Sequence, residues 1–387
     1  GIIINNTGYE ERVFYGNLEV QKINNQYILV SEVTIENYIS STIAGNLNSL
    51  NINTSTDNLE FLKTLAVILR TNMIYHIYQN DFQEVGVNIS DTYQLYNYTP
   101  TLDLHQQASI QTMGEIISSN KLNYFTFFEY SNGMTANSGE IWGHEDYFYY
   151  PTENKEFLDS KNFVDDVDLI DISSNLNDEV NANIFFKSKE VLSVEASSEW
   201  FRWSVTLDKY DLDNINQEII TLSSNDDYKY YIKFLENNNK YNYYISNYKN
   251  NIINIQDIGT IKDVRVLERG EGGNIIKLEI AGELESVRVE TDELIKSLFK
   301  SNHIINNNGD ILDLEGLTSL PSSCFVFDKI YDSDLNLVEL TIYGGGYGHG
   351  VGLSLYGASK LSEELYLYEE ILELYYNNIK ISNLNNL

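Results

Sequence analysis

The chain has 387 residues and carries 57 Asp plus Glu against 25 Lys plus Arg, a formal net charge of −32. Phosphate backbones are held by clustered cations that release counterions, and no Lys/Arg run offers a local exception; nucleic acid is excluded as a partner, and simple electrostatic adhesion to anionic membranes or wall polymers is disfavoured. Hydrophobic residues make up 42%, no apolar run approaches the roughly 20 residues of a membrane-spanning helix, and the length suits two domains or lobes.

A single cysteine, Cys324, rules out an internal disulfide and a multi-cysteine zinc site. The histidines His76, His105, His144, His303 and His349 are scattered without metal-ligand spacing, so neither a metal nor a cofactor is expected. The chain starts at Gly1 without Met, as expected where a signal or anchor has been removed or left out, so the absence of one from this chain says nothing of location. With 30 Tyr, aromatic surface and hydrogen bonds are at hand for a partner that charge does not hold.

From Gly1 to about Ser31, short apolar runs alternate with Asn-rich turns, as in small strands. Thr34 to Leu47 places Tyr38, Ile39, Thr42 and Ile43 at helical spacing, a short helix ending near Gly45. The next helix is the clearest. Asp57 with Glu60 forms a capping-box-like start, and Leu59, Leu62, Ala66, Leu69, Met73 and Ile77 keep one face apolar. Arg70 interrupts the apolar run "AVILRT". A charge there is normally paired, and a bridge to a carboxylate of the first helix outweighs direct catalysis.

"ISDTYQLY" from Ile89 carries turn chemistry, and Leu104 to Ile117 reads as moderately helical. "KLNYFTFFEY" is strand-like and runs into a polar loop, Ser131 to Gly143, with a solitary Trp142. Loops of this kind at a strand end face a ligand in some proteins and are plain connections in more. Residues 159–178 are acidic and read as a linker. Beyond it "EWFRWSVTLD" is a strand, and the stretch from Ile261 to Glu290 alternates apolar and polar about a Gly-Glu-Gly-Gly turn, the strongest antiparallel signal present. Thr291 opens a short helix to Phe299, "LPSSCFVFDKI" and "LVELTIYG" are strands, and Leu361 to Tyr376 is helical. The class is α+β, with two lobes of helices and antiparallel sheets and a site between the N-terminal helices and the C-terminal glycine-rich loop. The segments are 1–158, the N-terminal part of a core; 159–178, the linker; 179–330, a β-rich second lobe; and 331–387, the glycine loop and C-terminal helix that complete the core.

The most unusual stretch is "YGGGYGHGVGLSLYGA", Tyr343 to Ala358, where six glycines fall between Gly344 and Gly352 around His349. Glycine costs backbone entropy wherever it is ordered, so the cluster implies tight turns or a close approach of another backbone. Taken alone it reads as a turn with a buried, satisfied histidine.

The glycine loop with Ser354 and Tyr356-Gly357-Ala358, the preceding "LPSSCF", the helices "ENYISSTIAGNL" and "LKTLAVILRT", the "SNGMT…WG" loop and the tail "EEILELYYNN" together resemble the stage II sporulation protein D family, which includes amidase-enhancer proteins of Gram-positive cell walls. The resemblance spans nearly the whole chain with motif order kept. It implies a lytic transglycosylase fold that acts on peptidoglycan glycan strands: one carboxylic acid protonates the glycosidic oxygen, and the sugar's own hydroxyl closes an anhydro ring. It implies an extracytoplasmic setting (cell wall, spore or forespore-engulfment space), other cell-wall or sporulation proteins as further partners, and substrate contacts from Arg70, Ser131, Thr135, Trp142, Gly348, His349, Gly350, Ser354 and Tyr356.

The chain departs from the family where the acid should stand. The position of the family Glu, at the end of the first helix, holds Asn46, whose amide has no proton to donate near neutral pH. Leu355 replaces the family Gln after the loop serine, and Asn132 or Met134 replaces a glycine of the polar loop. Some members bind zinc with cysteines near that loop, and this chain has none there. Glu36 precedes Asn46 by ten residues, about 15 Å along a helix, too far to take over. Glu129, Glu140 and Glu145 are the carboxylates in or beside the polar loop. The expectation is a glycan-binding or remodelling protein, a pseudoenzyme with impaired catalysis; the alternatives are an active transglycosylase with a displaced Glu and a structural subunit of a spore or cell-surface assembly.

Overall fold

The computed structural model describes residues 2–4, 12–23, 25–49, 58–79, 87–89, 103–118, 122–142, 155–225, 231–235, 257–301, 303–313 and 319–384. Asp57 of the expected cap, the turn beyond Ile89, and Gly143 and Glu145 lie outside them. The fold is α+β, with helices and antiparallel sheets. Two compact units divide the chain: Gly1–Glu129 with Leu355–Leu387, and Tyr130–Ser354. In sequence the second is an insertion into the first. The division falls at Leu355, so the glycine loop and the C-terminal helices belong to different units, and residues 159–178 fall within the second.

In the first unit the helices Ile35–Ser49, Leu59–Gln79 and Asp103–Gln111 pack on one another. The helix Leu59–Gln79 is more enclosed than one apolar face implies. Leu62, Leu65, Val67, Ile68, Leu69 and Met73, which point around the whole circumference, are all buried. Its buried Thr64, Thr71 and Asn72 find backbone partners: Asn72 donates Nδ2 to the Phe125 carbonyl and accepts the Phe125 N–H, both at 2.8 Å.

The helix expected over Leu104 to Ile117 stops early. Gly114, at φ +74°, turns the chain out, and Glu115–Ser118 becomes a strand paired antiparallel with Lys380–Asn383. The β-branched Ile116 and Ile117 suit that state, and both are buried. The single C-terminal helix expected from Leu361 to Tyr376 is two, Leu355–Glu363 and Tyr368–Tyr375. Between them Leu365 sits at φ +70°, and the Tyr366 N–H reaches back to the Leu361 carbonyl at 3.1 Å, a Schellman-type stop.

Among its described residues the second unit holds two antiparallel sheets. One has five strands in the order Ile311–Asp313, His303–Ile305, Trp203–Leu207, Leu337–Gly344, Phe325–Tyr331. The other has four, in the order Ile232–Leu235, Ser286–Glu290, Ile275–Gly282, Ile261–Arg269. The sequence turn Gly270–Gly273 joins the last two, with Gly273 at φ +90°. Helix Lys209–Ser223 is held by a capping box of Asp208 and Asp211, and its Ile215 and Ile219 share a core with Trp203, Leu278, Leu340 and Ile342. A smaller core gathers Phe185, Phe186 and Phe201 with Val164, Leu169 and Leu176. The acidic stretch 159–178 therefore keeps its carboxylates outward while its few apolar residues anchor it.

Candidate functional site

The glycine loop follows directly from the strand Leu337–Gly344 of the second unit. A Cβ at Gly344 would fall 2.3 Å from the Trp203 ring, and one at Gly345 would fall 2.6 Å from the Phe201 carbonyl. Four further glycines, Gly346, Gly348, Gly350 and Gly352, have positive φ, alternating with ordinary residues, a path that side chains other than glycine resist. Backbone bonds then tie the loop down. The Gly345 N–H donates to Cys324, Gly346 to Trp200 and Gly348 to Pro321 at 2.8–3.0 Å, while the Trp203 indole N–H donates to the Gly346 carbonyl at 3.0 Å. Tyr347 pairs with Tyr130 through two backbone bonds, and the Ala136 N–H donates to the Gly350 carbonyl at 2.7 Å. The glycine loop and the polar loop thus brace each other.

His349 sits at the centre of this arrangement. The Val351 N–H donates to its Nδ1 at 3.0 Å, which leaves the neutral ring with its proton on Nε2. The Trp142 ring meets it edge-on, with centroids 4.9 Å apart. Tyr347 makes a similar edge contact with Trp200 at 5.1 Å, and both of those rings are half-buried.

Ser131 and Thr135 take a different part. The Ser131 hydroxyl donates to the Met134 carbonyl and accepts the Gly133 N–H, and the Thr135 hydroxyl accepts the Lys161 N–H at 2.7 Å. Both side chains are buried and shape the loop from within. Ser354 is fully buried as well. Within the second unit, then, Trp142, Gly348, His349 and Gly350 come together, with Ser131 and Thr135 as their scaffold.

The remaining sequence-named residues belong to the first unit. Arg70 is fully buried and grips Glu36, with Nη2 to Oε2 at 2.6 Å and Nε to Oε1 at 3.3 Å, while its other donors go to the carbonyls of Ser109 and Glu115. It joins three elements of the unit, and its wholly enclosed side chain is a structural tie rather than a ligand contact. Asn46 is also buried, with its Nδ2 donating to the Thr42 carbonyl one turn back at 2.8 Å. The Tyr356 N–H donates to the Glu129 carbonyl at 3.1 Å.

Glu140, a carboxylate of the polar loop, is altered by its surroundings. It lies in the short helix Ser138–Trp142, and both its oxygens receive the Glu271 N–H, at 2.9 and 3.1 Å, in the Gly-Glu-Gly-Gly turn. Burial pushes its carboxyl above the ordinary value, against backbone N–H groups that pull it down. Gly270 must lack a side chain for this contact, because a Cβ there would lie 2.3 Å from Glu140 Oε2.

Sequence reasoning missed a buried polar network under the same loop. Asn274 donates Nδ2 to the Ser323 hydroxyl at 3.2 Å. Nearby Asp292 has its Oδ2 3.0 Å from Lys296 Nζ. Burial pushes the Asp292 carboxyl up, but Lys296, Ser323 and His349 more than offset this and hold it below the ordinary carboxylate value. Asp292 opens a helix whose cap, Thr291, stands at φ +79°, a region that a β-branched residue enters only under constraint. The only advance signal was Thr291 as a helix start. Among the described residues, no three His, Cys, Asp or Glu side chains gather as metal ligands.

A family model described as a domain of unknown function (DUF8618) matches residues 236–352. An uncharacterized protein of Brachyspira hyodysenteriae (strain ATCC 49526 / WA1) is 34% identical over 110 residues, which cover 27% of this chain and 27% of that relative. The chain thus matches only about a quarter of the relative's length. The family match takes in Asn274, Asp292, Ser323 and the glycine loop up to Gly352.

Proposed function

We propose that this protein binds the glycan strands of peptidoglycan through its glycine loop and takes part in wall remodelling, with transglycosylase chemistry impaired. The observation that carries this reading is the pinned His349, with its proton set on Nε2 by the Val351 N–H, beside Trp142 and next to the half-buried Tyr347–Trp200 pair. Aromatic edges with a fixed hydrogen-bond donor suit a neutral, hydroxyl-rich ligand. A net charge of −32 disfavours an anionic one. The resemblance to the stage II sporulation protein D family supplies the substrate class and the extracytoplasmic setting. Asn46, at the position of the family acid, has its amide committed to Thr42 and no proton to deliver.

The test is incubation of the purified protein with peptide-stripped glycan strands, followed by co-sedimentation and mass spectrometry. Binding without anhydro-muramyl products is the expected result, and efficient product formation overturns the impaired-catalysis reading. An Asn46→Glu variant that gains turnover would place the remaining machinery as intact. A second reading, catalysis by a displaced acid, is favoured at one residue: burial raises the Glu140 carboxyl, as a general acid requires. That version demands that Glu140→Gln abolish turnover.

A further inference from the structure

The network beneath the glycine loop includes two oxygens that no group among the described residues serves. Asn274 Oδ1 and Asp292 Oδ1 are buried and have no hydrogen-bond partner, on side chains only 1% and 7% exposed. Buried acceptors are nearly always satisfied, so such a pair needs an explanation.

The hydrogen bond to Ser323 fixes how the Asn274 amide faces. Its nitrogen is the side that lies 3.2 Å from the Ser323 hydroxyl. This turns Oδ1 of Asn274 away from Ser323, while Lys296 occupies Oδ2 of Asp292 and leaves its Oδ1. Asn274 Oδ1 then lies 3.7 Å from the point where a Cβ on Gly350 would be, with the Ala136 Cβ 3.5 Å from the same point. Gly350 is half-buried and has φ +80°, so the absent side chain leaves methyl-sized room beside the oxygen on the loop itself.

We propose that Asn274 Oδ1 forms an acceptor subsite under the glycine loop that takes a hydroxyl or amide N–H of a neutral ligand. A carboxamide oxygen accepts and cannot donate, so it selects a ligand group that carries a proton. The assignment rests on the glycan reading above, since sugar hydroxyls and acetamido N–H groups are the donors such a strand carries.

The experiment is calorimetric titration of the full chain with a β-1,4-linked N-acetylglucosamine tetramer, for wild type, Asn274→Leu and Asn274→Ser. Leu removes the acceptor at similar volume, and Ser removes the carboxamide with less risk to packing. The expected result is tetramer affinity lowered tenfold or more in both variants, with a melting temperature at or above wild type in Asn274→Leu, because a buried acceptor no longer lacks a donor. Unchanged affinity in a folded variant overturns the subsite and leaves the glycan reading standing. Absence of tetramer binding by the wild type overturns both.

Discussion

Arg70 and Glu36 form a two-point ion pair, 2.6 Å at one end and 3.3 Å at the other, with the guanidinium wholly out of solvent. Ser109 hydrogen-bonds the same carboxylate, so helices from three parts of the first unit meet at one charge pair. Taking away one partner of such a pair strands the other, which costs about 3–5 kcal/mol, whereas replacing both is far milder. Arg70→Met is therefore expected to lower stability to denaturant by about that amount, and the double change Arg70→Met, Glu36→Met by less than Arg70→Met alone. Arg70→Lys is no rescue, since a single ammonium cannot reach both carboxylate oxygens and two carbonyls. A double variant as unstable as the sum of the two single changes would remove the pair from this role.

The glycine loop makes a second expectation, in which sterics and backbone conformation separate. Gly344 lacks a positive φ but has the Trp203 ring 2.3 Å from its would-be Cβ, and that ring is held by its bond to Gly346. Gly344→Ala should cost at the upper end of the about 1–3 kcal/mol of overpacking. Gly309, by contrast, has φ +83° and nothing within 4 Å of its Cβ position. Gly309→Asn should be close to neutral, because Asn tolerates the left-handed region. Thermal melts of the two variants decide, and equal losses would count against the steric account.

Glu140 gives a pH-dependent expectation with a definite sign. Its carboxyl is raised in the folded protein by burial, so the folded state binds that proton more tightly than the unfolded chain. The contribution to stability is full below the ordinary value of 4.5 and is lost as pH rises through the folded value. Glu140→Gln keeps an oxygen for the Glu271 N–H and drops the charge. Relative to wild type, this variant should gain stability on going from pH 4 to pH 7, measured by denaturant midpoints at both. A gain that is flat with pH would mean that the carboxylate is not the cause.

What the sequence made legible was local. The helix Leu59–Gln79 was readable from its apolar spacing, and the partner of Arg70 from a charge placed inside an apolar run. The Gly-Glu-Gly-Gly turn and the Thr291 cap were readable from turn and cap chemistry. The strand Glu115–Ser118 was not, because it is selected by Lys380–Asn383, more than 260 residues away, as the Ser118–Lys380 separation of 262 marks. Nor was the grouping of Asn274, Ser323 and Asp292, whose members come from three elements and carry no shared spacing. The glycine count announced a special backbone at 344–352 without telling which glycine avoids a ring, which a carbonyl, and which supplies a positive φ.

Leu365 tests the break that divides the C-terminal helix. A helix that ends in a left-handed residue normally places glycine there, since any Cβ crowds the neighbouring carbonyl. Here the position holds a leucine at φ +70° that is 87% exposed, so its side chain returns little burial for the strain. The stop holds because Tyr366 bonds back to Leu361 and Leu365 to Ser362, and because Glu370 accepts the Leu367 N–H to begin the next helix. Leu365→Gly relieves the strain at the expense of greater freedom in the unfolded chain, a net gain of about 0.5–1 kcal/mol. Leu365→Ala, which keeps the Cβ and removes only exposed surface, should leave stability within about 0.5 kcal/mol of wild type. Melting curves that rank Gly above Ala and wild type support the left-handed stop, and a Gly variant less stable than wild type would mean that the two helices form one continuous element there.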